Sequence, residues 1–133
     1  MFGYDAVRSQ VVVLSDPTAD GTFNIWRAPS RATKVEILSA YAISDTAISG
    51  VGTVITLRLL DMGSEGTALG GTVSATLGAA GTGDWSAKVP RAFTISEGTL
   101  DGGDWLAVDY EETGTVAPLN ITIQVDWVSG VGA

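Results

Sequence analysis

The chain has no cysteine and no histidine among its 133 residues. The first absence rules out disulfides and thiolate metal sites, and it leaves the redox compartment undefined. The second removes the usual general base near neutral pH, the Ser-His-Asp relay and imidazole metal ligation. Basic residues are scarce: 7 Lys and Arg stand against 15 Asp and Glu, for a formal net charge of −8. The only lysines are Lys34 and Lys88, and neither lies in a motif around a serine, so no Ser-Lys nucleophile pair is evident. So acidic a surface repels phosphates, and the basic residues are dispersed. Nucleic-acid binding is therefore not expected, and a basic partner surface is the better fit. No apolar run approaches the roughly 20 residues of a membrane-spanning helix, so no membrane association is expected. The segment Met1-Phe2-Gly3-Tyr4-Asp5 lacks a basic region followed by an apolar one, hence no signal peptide is evident. Met1 reads as the start of a complete chain made in the cytoplasm.

What the chain has instead is alternation. In Leu119-Asn120-Ile121-Thr122-Ile123-Gln124-Val125-Asp126-Trp127, apolar and polar residues take turns without a fault. A period of two sends every second side chain to one face, as in a strand with one buried and one wet side. Hydrophobic residues make up 45% and charged ones 17%, enough for a packed core in one domain of ordinary size. Strand-like runs are read at 10–14, 22–26, 53–60, 72–77, 85–89, 92–95, 105–110 and 119–127. Residues 32–43 admit two readings. Val35, Leu38 and Ala42 fit a helix stripe, whereas Val35, Ile37, Ser39, Tyr41 and Ile43 fit alternation, and strand-rich surroundings favour the latter. Gly, Asp and Ser separate the runs, with Ser15–Gly21 a supported reversal around Pro17. Eight or nine short strands spaced about 8–14 residues apart predict an all-β antiparallel β-sandwich. Residues 1–9 show no period and are read as an N-terminal arm; residues 10–133 form the single sandwich domain.

Candidate chemistry is thin. Asp101, Asp104, Asp109, Glu111 and Glu112 lie close in sequence and could supply a glycosidase-like carboxylate pair, but acidic residues on a loop and strand edge also keep an edge soluble. Asp16 with Asp20, and Asp101 with Asp104, are oxygen-rich enough for calcium, yet neither pair has the spacing of a calcium loop. No cofactor is implied. Four tryptophans pose a sharper question. Trp127 belongs to the core face of its strand, whereas Trp85 and Trp105 follow Gly-rich loops and could present a face to a sugar or to a neighbouring subunit.

Ile25-Trp26-Arg27-Ala28-Pro29 before the strand Val35-Glu36-Ile37, then Ala92-Phe93-Thr94-Ile95 and Gly103-Asp104-Trp105-Leu106-Ala107-Val108 before the closing strand, form an ordered series. The series resembles the small jelly-roll virion proteins of tailed bacteriophages, found as head decoration (cement) proteins and as fibre modules. The resemblance spans about Thr22 to Val128 and carries no catalytic residues. It implies a jelly-roll-like sandwich without enzymatic activity that sits on the outer capsid surface of the virion. It further implies a homotrimer that binds the major capsid protein and stabilises the head. Phe2, Tyr4 and Arg8 of the arm, with Trp85 and Trp105, are then the expected partner-binding residues. The alternative from the same resemblance is a receptor- or carbohydrate-binding module of a head or tail fibre, using Trp85 or Trp105.

Overall fold

The computed structural model describes residues 7–15, 17, 20–32, 34–47, 54–67, 69–77, 88–114 and 120–130. These residues contain nine strands: β1 (Arg8–Ser15), β2 (Gly21–Arg27), β3 (Lys34–Ser44), β4 (Val54–Asp61), β5 (Gly71–Thr72), β6 (Arg91–Ala92), β7 (Thr99–Asp101), β8 (Trp105–Thr113) and β9 (Asn120–Gly130). They form two sheets, one in the order β1-β9-β3-β6 with β7 also on β3, the other in the order β2-β8-β4-β5. All the pairings are antiparallel. From β1 to β4 successive strands alternate between the sheets, β8 then pairs with β4 in the second sheet and β9 returns to the first, a double-sheet arrangement of the jelly-roll kind. The predicted architecture is the observed one.

The alternation read in β9 does what its period requires. Ile121, Ile123 and Val125 are buried, and Trp127 is nearly so, while Thr122, Gln124 and Asp126 lie on the other side. Facing them from the second sheet are Ile55, Leu57 and Leu59 of β4 and Leu106, Val108 and Tyr110 of β8, all fully buried. Trp26 closes one part of this core against Trp127, with ring centroids 5.0 Å apart and planes tilted by 42°. Truncating one such aliphatic side chain to alanine costs about 2–5 kcal/mol.

Several boundaries differ from the sequence reading, each for a local reason. β1 begins at Arg8, which pairs with Trp127, so Arg8 and Ser9 belong to the sheet and not to an arm. β3 is a strand, but its register on β9 shifts between Ile37 and Ser39, leaving Leu38 as the extra residue of a bulge. A one-residue insertion swaps the faces of everything after it. Val35 and Ile37 therefore point into the core, and past the bulge Ala40, Ala42 and Ser44 do, while Tyr41 and Ile43 turn outward. Of the run 72–77, only Thr72 is in regular strand, continued by single bridges at Ser74 and Leu77. Of the run 85–89, residues 85–87 lie outside the described residues; Lys88 sits in a turn at φ 61° and donates its N–H to the Ser44 carbonyl at 2.7 Å. β7 falls inside a predicted Gly/Asp loop, where fully buried Leu100 pairs with Val35.

Candidate interaction surface

The outer face of the β1-β9-β3 sheet is built by parity. In β1, Arg8, Gln10, Val12 and Leu14 lie opposite Trp127, Val125, Ile123 and Ile121, the core row of β9. Ser9, Val11 and Val13 must then face out, and Val11 and Val13 are 53% and 51% exposed. Across Thr122 and Gln124 stand Tyr41 and Ile43, turned outward by the Leu38 bulge. Tyr41, Ile43, Pro90, Thr122 and Gln124 line a hollow of about 340 Å³ on this face. Leu38 and Tyr41 add further exposed apolar surface. The carboxylate here, Asp126, accepts hydrogen bonds from Ser9 Oγ at 2.6 Å, Ser39 Oγ at 2.9 Å and Gln124 Nε2 at 3.0 Å. The bond from Ser9, then that from Gln124, outweigh the opposing effect of burial and, with a smaller contribution from Ser39, hold its pKa below the ordinary aspartate value. Asp126 thus ties β1, β9 and β3 together, and its charge is already served.

The second sheet has a different exterior. Leu60 of β4 and Ala107 of β8 point outward yet are 4% and 0% exposed. The segment 62–67 leaves β4 and reaches β2, where Asn24 Nδ2 donates to the Gly66 carbonyl at 3.0 Å, so it crosses over β8. Two backbone bonds pin the crossing, Met62 N to Trp105 O at 2.9 Å and Trp105 N to Gly63 O at 2.8 Å. Gly66 has φ +72°, and a Cβ there would come within 2.7 Å of Asn24 Nδ2 and 3.1 Å of Trp105 Cδ1. Beyond the segment the face is charged, with Arg58 paired to Asp109 at 3.2 Å. At its rim Asp104 has its pKa raised, first by burial and then by the negative charge of Asp61 and Asp101.

Of the residues expected to bind partners, Arg8 and Trp105 are described, and they lie on different sheets. Arg8 directs its guanidinium over Trp127 of its own sheet, 5.9 Å from the ring centroid. Trp105 sits on the other sheet, half-buried, packed near Gly66 and within 5.8 Å of the Arg27 guanidinium. Arg27 Nε is in turn fixed to the Gly103 carbonyl at 3.0 Å. A tryptophan so enclosed is poorly placed as an open platform for a sugar ring. Phe2, Tyr4 and Trp85 lie outside the described residues. Of the acidic candidates, Asp101 and Asp104 stay close enough to interact, while Asp101 is bridged to Lys34 at 3.1 Å, Asp109 to Arg58, and Asp20 accepts the Glu112 N–H at 2.8 Å. Among the described residues no group of three acidic side chains is arranged to hold a metal ion, and Asp16 is not among them. Sequence reasoning missed Val11, Val13, Tyr41 and Ile43 as surface residues. The triple valine in an otherwise polar-flanked run was the available signal.

No protein-family model matches the chain, and no curated protein matches it. Solved structures do. A chain in the acid-stable capsid structure of Helicobacter pylori bacteriophage KHP30 aligns with a TM-score of 0.67 at 9% identity, covering 95% of this chain and 90% of that one. A chain of the cyanophage Pam1 capsid asymmetric unit aligns with a TM-score of 0.63 at 14% identity, covering 98% and 89%. The fold implied by the resemblance to small jelly-roll phage proteins is thus the fold found in two phage capsids.

Proposed function

We propose that this chain is a non-enzymatic structural protein of a bacteriophage virion. In this reading it decorates the outer surface of the head, binds the major capsid protein as a homotrimer and stabilises the shell. The observation that carries it is the reciprocal coverage of the two capsid matches, about nine tenths or more on both sides. The likeness is therefore between whole small chains, not between this chain and one module of a large shell protein. A net charge of −8 suits a protein that must not adhere to DNA and is steered to basic surfaces. An exposed apolar row beside a shallow hollow suits a protein that works by contact.

The test is reconstitution. Heads of the phage that carries this gene, assembled without this chain, are mixed with the purified protein and sedimented. Saturable binding and a higher thermal release temperature for packaged DNA are expected; failure to co-sediment overturns the reading. Residues 1–7, with Phe2 and Tyr4 as apolar anchors, are proposed to contact the capsid or a neighbouring subunit. A truncation that retains Arg8, because Arg8 belongs to β1, should lose occupancy on heads while the sandwich stays folded. Full occupancy after truncation rejects that part of the proposal.

A further inference from the structure

We propose that β1 is a self-pairing edge, which in the assembled state hydrogen-bonds antiparallel to β1 of a second copy across a two-fold axis through Val12. Among the described residues the sandwich has four sheet ends, and three are blunted. β5 and β6 are 2 residues each, and β2 breaks register at Ile25. β1 is 8 residues long, its register with β9 runs unbroken from Arg8 to Ser15, and it contains neither Pro nor Lys. Among the described residues β9 is the strand that pairs with β1, and nothing pairs with its far side. A long, regular, β-branched edge of this kind offers a ready row of N–H and C=O groups to another strand, which proteins ordinarily prevent.

The occupant is indicated by the strand itself. Ser9-Gln10-Val11-Val12-Val13-Leu14-Ser15 reads nearly the same from either end. A two-fold contact demands such self-complementarity. An axis perpendicular to the sheet keeps outward residues outward, so only residues of like parity can stand opposite one another. Centring on Val12 sets Ser9 against Ser15, Gln10 against Leu14, Val11 against Val13 and Val12 against itself. The exposed valines then become cross-strand β-branched pairs. Centring on Val11 instead would set Arg8 against Leu14. Charge points the same way. Two copies of a chain with net charge −8 repel, and β1 brings no acidic residue to the meeting. The inference goes beyond capsid binding and does not depend on it; a three-fold contact would use other surfaces.

The experiment is sedimentation of the purified chain over a concentration series. Concentration-dependent association is expected. V11K/V13K, at two exposed positions, sets lysine against lysine and should raise the dissociation constant about tenfold or more. V11K/V13E sets opposite charges face to face and should restore association, with circular dichroism checking that both variants are folded. Because the chain has no cysteine, V12C introduces a single thiol that meets its symmetry mate at the roughly 4.5–5.5 Å Cα spacing of an antiparallel pair, within disulfide reach. Mild oxidation should give a covalent dimer with V12C and far less with V11C. A wild-type chain that stays monomeric throughout overturns the proposal, as does V11K/V13E associating no better than V11K/V13K, or V12C failing to cross-link. If V11K/V13K lowers occupancy on heads without altering self-association, the edge belongs to a capsid strand and the proposal fails. Intact self-association with no binding to heads would sink the capsid reading alone.

Discussion

The two outer faces of the sandwich are finished in opposite ways. On the β2-β8-β4 side segment 62–67 reaches across β8 to β2, Leu60 and Ala107 are buried although they point away from the core, and Arg58 and Asp109 are paired on the same face. On the β1-β9-β3 side Val11, Val13 and Tyr41 are left open beside a hollow. A protein that spends a loop to cover one face and leaves the other apolar distinguishes a side meant for water from a side meant for contact. If so, substitutions on the covered face should cost the folded state dearly. Substitutions on the open face should leave the monomer alone and act on assembly.

The largest effect is expected at Leu60. Leu60→Ala removes a side chain only 4% exposed and should lower unfolding free energy by about 2–4 kcal/mol, measured by urea denaturation. A loss near zero would show that segment 62–67 does not seal that face. Next comes Gly66→Ala. The position combines φ +72° with contacts to Asn24 and Trp105 that a Cβ would violate. A destabilisation of about 1–3 kcal/mol is expected, with a change in Trp fluorescence reporting Trp105.

This contrast between faces was only half legible in the sequence. The perfect alternation of β9 could be read directly, because nothing interrupts its pairing with β1 and its core row is complete. β3 could be read as a strand but not oriented. The Leu38 bulge inserts one residue that alters no local composition, yet it exchanges the faces of Tyr41 and Ile43. β7 was hidden because 3 residues within a Gly/Asp stretch carry no period, and only tertiary pairing with β3 makes them a strand. Trp105 stands opposite in phase to the core row Leu106, Val108 and Tyr110 of β8. What encloses it, Gly66 and Arg27, comes from positions distant in the chain, which periodicity cannot reach.

Acidity should separate the two faces by sign. Asp126 has a depressed pKa in the folded state, so its stabilisation is present above the unfolded pKa and disappears as pH falls through the folded value. Asp126→Asn should therefore lower the melting midpoint at neutral pH, with the gap closing in acid. Asp104 has a raised pKa, so its contribution is most favourable below the unfolded pKa and is lost as pH rises through the folded value. Asp104→Asn should raise the midpoint at neutral pH, and that gap too should close in acid. Melting curves taken from neutrality down to below the ordinary aspartate pKa check both. Shifts of the same sign for the two variants would contradict the assignment of opposite environments.

The smallest effect is expected at Val13, and it tests the comparison most directly. Val13→Thr keeps the β-branch and nearly the same shape, so the pleated backbone sees little change. The side chain is 51% exposed, so the hydroxyl can remain hydrated and no buried polar group is created. Unfolding free energy of the monomer should stay within about 0.5 kcal/mol of the parent. If Val13→Thr instead cost as much as Leu60→Ala, Val13 would have to be covered in the isolated chain. The open face would then be a second sealed one, and contact with a partner would have to be sought elsewhere on the molecule.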